Sequence, residues 1–117
     1  MRTPILFLSM LLPALAADAT GKWTATFDTQ IGEQKYTYDF KVTGTKVTGT
    51  ATNQNGKSEI TNGVVDENAI RFVETFDYQG TAVRIEYNGT WDGPDKINFV
   101  RKVADYAVED LVASRVK

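Results

Sequence analysis

The chain has 117 residues, a formal charge of −2, and neither histidine nor cysteine. That composition excludes imidazole and thiolate chemistry: no Ser-His-Asp or Cys-His arrangement, no disulfide, and no ligand set for zinc, copper or haem. Lysine and arginine are scattered, with Arg101-Lys102 the only adjacent pair. There is no basic stripe of the kind nucleic acid or an anionic membrane needs, so neither partner is expected, and no metal or cofactor is implied.

The first residues read as a secretory signal peptide over 1–19. Arg2 supplies the positive start, Ile5 to Leu12 the apolar run, and Pro13 leads into small-residue sites. Two A-x-A sites compete, Ala14-Leu15-Ala16 with cleavage before Ala17 and Ala17-Asp18-Ala19 with cleavage before Thr20. The run falls short of the roughly 20 apolar residues that cross a bilayer core. The chain is therefore expected to be exported, periplasmic or extracellular, with residues 20–117 as a single domain. Lacking cysteine, that domain must hold itself together by packing alone.

From Gly21 onward apolar residues recur at every second position, the pattern of strands with one buried face. Trp23, Ala25 and Phe27 share a face, as do Tyr36, Tyr38, Phe40 and Val42, then Val47, Gly49 and Ala51. A weaker run carries Ile60 and Val64, with Gly63 marking a bulge. Next come Ile70, Phe72, Phe76 and Tyr78; Val83, Ile85, Tyr87 and Trp91; Ile97, Phe99 and Val103; and a last strand from about Ala107 to Val116. Short turns separate them, with a slightly longer loop near Ile31-Gly32.

Asp92-Gly93-Pro94-Asp95 reads as a proline-containing turn rather than a calcium loop, which needs denser oxygen spacing. The sequon Asn88-Gly89-Thr90 lies within a strand, where Gly89 marks a bend; Gly49 does the same in the repeated V-T-G-T phrase. Eight strands joined by tight hairpins predict an all-β, antiparallel up-and-down meander closed into a β-barrel, with a β-sandwich as the alternative.

Two charged residues stand on apolar faces. Parity places Glu74 between Phe72 and Phe76, and Arg101 between Phe99 and Val103. A buried unpaired carboxylate costs several kcal/mol, so the two are expected to meet inside the barrel. The readings stay open: a structural ion pair that closes one end of the barrel, a bulge that turns either side chain outward, or a polar spot in a cavity lined by Tyr36, Tyr38, Phe72, Tyr87 and Trp91. Aromatic walls with a few fixed polar groups suit a saccharide or small organic ligand, although the same rings can simply fill a narrow barrel.

Gly21-Lys22-Trp23 opening the first strand and Arg115 near the end of the last resemble the floor motif of the calycin superfamily (lipocalins, fatty-acid-binding proteins, avidins). The resemblance implies that Trp23 packs beneath Arg115 and closes one end of the barrel. The Gly- and Thr-rich hairpins look most like avidins, but no residue set matches the biotin site. More broadly the chain resembles small exported β-domains of soil and marine bacteria that occur alone or beside carbohydrate-active enzymes.

The leading expectation is a non-catalytic binding domain, with Glu74, Arg101, Tyr36, Tyr38, Tyr87 and Trp91 as ligand-binding residues and no catalytic residue assigned. The alternatives are a carboxylate-dependent carbohydrate-active enzyme with Glu74 as acid, and a structural or inhibitor-like protein whose barrel is filled. A glycosidase needs two carboxyl groups flanking one bond, and the nearest second candidate in sequence, Glu86, has outward parity.

Overall fold

Eight strands follow one another without a helix among the residues that this computed structural model describes, 18–117. They are β1 (Gly21–Thr29), β2 (Gly32–Thr43), β3 (Lys46–Asn53), β4 (Gly56–Val65), β5 (Ala69–Tyr78), β6 (Thr81–Trp91), β7 (Lys96–Val103) and β8 (Ala107–Arg115). Each pairs antiparallel with its sequence neighbours, and β8 returns to β1 to close the barrel. The sandwich alternative is thereby excluded. Apart from Asp18 and Ala19, the segment read as a signal peptide lies outside the described residues.

The period of two decides what points inward. Trp23, Tyr38, Ala51, Ile70, Ile85, Tyr87, Ile97, Phe99 and Ala113 are almost fully buried, and together they draw on seven of the eight strands. Polar residues between them face solvent, as a sheet with one packed face requires. The rings interlock: Phe72 stacks on Tyr87 at 4.3 Å between centroids, while Phe99 meets both edge-on at 5.6 Å. A tyrosine–phenylalanine mass therefore fills the middle of the barrel.

Three details differ from the expectations. The β1–β2 connection is a two-residue turn, Gln30-Ile31, as tight as its neighbours. In β4 the register shifts between Thr61 and Val64, and Asn62 takes a left-handed φ of 54°. The extra residue turns Val64 outward and puts Val65 into the core. Gly89 marks no bend of the positive-φ kind; it leaves room for the Phe99 ring, which a Cβ there would strike. Gly49 fits the expected role: with φ at 146°, its missing Cβ lets β3 press against the Asp39 carbonyl of β2.

Antiparallel hairpins divide the turns between two ends. The β1–β2, β3–β4, β5–β6 and β7–β8 turns ring one end, which is open; the other three turns, the start of β1 and the end of β8 gather at the closed one. At that closed end Arg115 lies over the Trp23 ring at 4.5 Å, and Trp91 packs edge-on against Trp23 at 5.9 Å. Arg115 is held by Asp95 at 3.1 Å and by the carbonyls of Pro94, Thr20 and Asp18. Ala19 is fully buried, and its carbonyl accepts the Trp23 indole N–H at 2.9 Å. The packed unit thus begins before Thr20.

Candidate functional site

β5 carries Glu74 to the inner wall, and β7, next but one around the barrel, carries Arg101 to the same interior, where parity placed both. Each is buried, at 1% and 5% exposure. Their closest charged atoms are 4.0 Å apart, because two tyrosines stand between them. Tyr36 Oη donates to Glu74 Oε2 and Tyr87 Oη donates to Glu74 Oε1, both at 2.8 Å. Arg101 in turn donates from Nε to Tyr87 Oη at 2.9 Å and from Nη2 to Tyr36 Oη at 3.0 Å. Since the Tyr87 proton is committed to Glu74, Tyr38 must donate in its 3.0 Å contact with the Tyr87 hydroxyl. The hydrogen bonds run in one direction, ending on the carboxylate.

A third charged group completes the cluster. Glu109 of β8 takes a hydrogen bond and ion pair from Arg101 Nη1. All three guanidinium nitrogens therefore have acceptors, and the group also lies 5.3 Å from the Phe27 and Tyr36 ring centroids. Cation–π attraction adds to that embedding.

Burial works against charge on each member. Desolvation raises the Glu74 pKa, although hydrogen bonds from Tyr36 and Tyr87 and the Arg101 charge pull the other way. It raises Tyr36, Tyr38 and Tyr87 as well, so all three stay protonated across the ordinary pH range. Arg101 also loses hydration, but the oxygens of Tyr87, Tyr36 and Glu109 outweigh that loss and hold its pKa above the usual value. A permanent cation sits beside a carboxylate that resists ionisation.

Above this cluster the barrel is open. A cavity of about 440 Å³ occupies the mouth, with Arg101, Tyr36 and Glu109 at its base and Gln34, Phe76, Val83, Ile85 and Val103 on its walls. Ile31, Tyr78 and Tyr106 stand at the rim, among the turns. Gln34 is 5% exposed; its Oε1 accepts from Asn53 at 3.3 Å, and its amide N–H groups have no protein acceptor among the described residues. The volume falls within the range of small-molecule pockets, and the lining is mainly apolar with a few fixed polar groups.

Only part of the expected lining is present. Tyr36 and Arg101 face the cavity; Glu74, Tyr38 and Tyr87 lie beneath it, in the packed middle. Trp91 belongs elsewhere. It lies two inward positions beyond Tyr87 along β6, about 13 Å toward the closed end at the usual strand rise. There it packs on Trp23, and among the described residues its indole nitrogen has no hydrogen-bond partner. The parity reading missed Glu109, Gln34 and Asn53. The first lies between Ala107 and Leu111 on one face of β8, but the exposed valines on the other face, Val108 and Val112, obscure that parity. The glycosidase test of paired carboxyls gains little from Glu109, since Glu74 lies below the cavity lining and both are tied to Arg101.

No protein-family model and no curated protein sequence matches the chain. Two solved structures share its fold. A redesigned beta barrel, mFAP1, bound to DFHBI, superposes with a TM-score of 0.60 at 14% identity over 89% of this chain and 98% of that one. EF1p2_mFAP2b bound to DFHBI superposes with a TM-score of 0.55 at 13% identity, over 89% and 97%. At such identity the likeness is one of fold.

Proposed function

We propose that this protein is an exported, non-catalytic binding domain that holds a small organic molecule or saccharide in the mouth of its barrel. The observation that carries the reading is the cavity of about 440 Å³, open to solvent above and floored by a fixed polar cluster. Both similar barrels hold a small molecule, DFHBI, which supports a ligand of that size. The Trp23–Arg115 floor supports calycin-like kinship. Export rests on the leader pattern ending in the small-residue sites.

A thermal-shift screen of the purified protein against glycans and metabolites tests this, because a ligand bound only by the folded form raises its melting temperature. The expected result is at least one hit that is lost in Val83→Trp, which fills the cavity wall. A hit whose shift survives in Val83→Trp binds elsewhere and removes the mouth as the site.

A further inference from the structure

The only charged residues lining the mouth cavity, among the described residues, are Arg101 and Glu109. Arg101 is the only cation a ligand can meet there, and it is already engaged on every nitrogen, by Tyr87, Tyr36 and Glu109. Its side chain is 6% exposed, and that of Glu109 11%. An anion entering the cavity would give up its hydration, find a guanidinium whose charge is already offset by its ion pair with Glu109, and approach the Glu109 carboxylate. Burying charge without a partner is among the costliest steps in binding. A hydrogen-bond donor has the opposite prospect. Only Oε1 of Glu109 is engaged with Arg101, so the carboxylate, which lines the cavity, keeps acceptor capacity.

From this we infer that the mouth cavity selects uncharged ligands with an apolar body and a hydrogen-bond donor directed at Glu109, and rejects anionic ligands of the same shape. The inference rests on the binding reading above and narrows its ligand class. An alcohol, amide or sugar hydroxyl meets the requirement; a carboxylate or sulfonate does not. Arg101 serves as a structural counter-ion that fixes Glu109, and Glu109 is the residue that touches ligand. Phe76, Val83, Ile85 and Val103 supply the apolar walls.

A matched pair of fluorescent probes separates the cases: dansylamide, neutral with an N–H donor, and dansylate, the sulfonate on the same ring. Titrated into the wild-type protein at neutral pH, dansylamide should bind at least about tenfold more tightly, the scale of one hydrogen bond to a charged group. In Glu109→Gln the gap should narrow, chiefly through a gain in dansylate affinity, while Val83→Trp should weaken both probes. Equal affinities in the wild type, or tighter dansylate, would overturn the ligand class while leaving a binding cavity in place. A gap unchanged in a folded Glu109→Gln would remove Glu109 as its source. If neither probe binds, the binding reading falls, and the ligand class with it.

Discussion

Arg101 answers to two carboxylates, and that inequality sets the cost of losing it. Replacing it with methionine strands both Glu74 and Glu109, whereas Glu74→Leu leaves Arg101 still paired with Glu109. Breaking a buried pair from one side typically costs about 3–5 kcal/mol, so Arg101→Met should lie at or above that range and Glu74→Leu below it. The double variant should recover part of the loss; urea denaturation of all four proteins gives the coupling. Titration offers a second check. Desolvation raises the Glu74 pKa in the fold, so its contribution to stability is complete below the unfolded carboxylate value, about 4.3. That contribution is lost as pH rises through the folded value. Glu74→Gln cannot ionise, so its stability relative to wild type should improve between pH 4 and pH 8. The reverse trend would mean that the tyrosine hydrogen bonds and Arg101 dominate over desolvation. Glu74 and Arg101 were legible because each interrupts an otherwise unbroken apolar face. Glu109 was not, because in Val108-Glu109-Asp110-Leu111-Val112 the valines face outward and remain exposed, which blurs the parity near the mouth.

At the scale of the strand, faces can be read from alternation but depth cannot. Tyr87 and Trp91 share a face of β6, yet one abuts the polar cluster and the other the closed end. Period two carries no information about which rung of the barrel a residue occupies; register does, and register depends on turns and bulges. The β4 shift at Asn62 is such a case, moving Val65 rather than Val64 into the core. Gly49 shows how one position sets curvature. An alanine there would hold a φ that costs about 1–3 kcal/mol for a side chain, and its methyl would also collide with the Asp39 carbonyl. Gly49→Ala should therefore destabilise by more than the strain alone, seen as a lower urea midpoint. A variant that melts with wild type would mean that β2 and β3 can separate without loss.

Across the whole molecule, packing is graded along the barrel axis. The closed end is sealed by Trp23, Trp91 and Arg115, the middle is filled by aromatic rings, and the mouth forms an open cavity. Rigid support beneath a cavity suits recognition, since side chains fixed by their own neighbours need little reordering when a ligand arrives. It also localises fragility. Trp23→Ala should cost about 3–5 kcal/mol, as large-to-small changes in packed cores do. Arg115→Ala should destabilise as well, since it frees three carbonyl acceptors and uncovers the indole. Melting temperatures of both variants close to wild type would show that the closed end contributes little to the fold. Conversely, Val83→Trp at the mouth should leave the melting temperature nearly unchanged, because it fills space that no side chain occupies.

The tether at Asp18 and Ala19 bears on how the protein is made. In the export reading, a leader peptidase chooses between two sites three residues apart, and the choice is also a choice of stability. A cut before Ala17 releases a chain that retains the Ala19 carbonyl for the Trp23 indole and the Asp18 carbonyl for Arg115. A cut before Thr20 releases one that lacks both, and places a new ammonium group beside Arg115, whose Nη1 bonds the Thr20 carbonyl. Proteins begun at the two positions should differ in melting temperature, the shorter being the lower. Imprecise trimming would thus yield two populations of different stability, and the intact mass of the species that survives proteolysis would report which terminus the barrel requires.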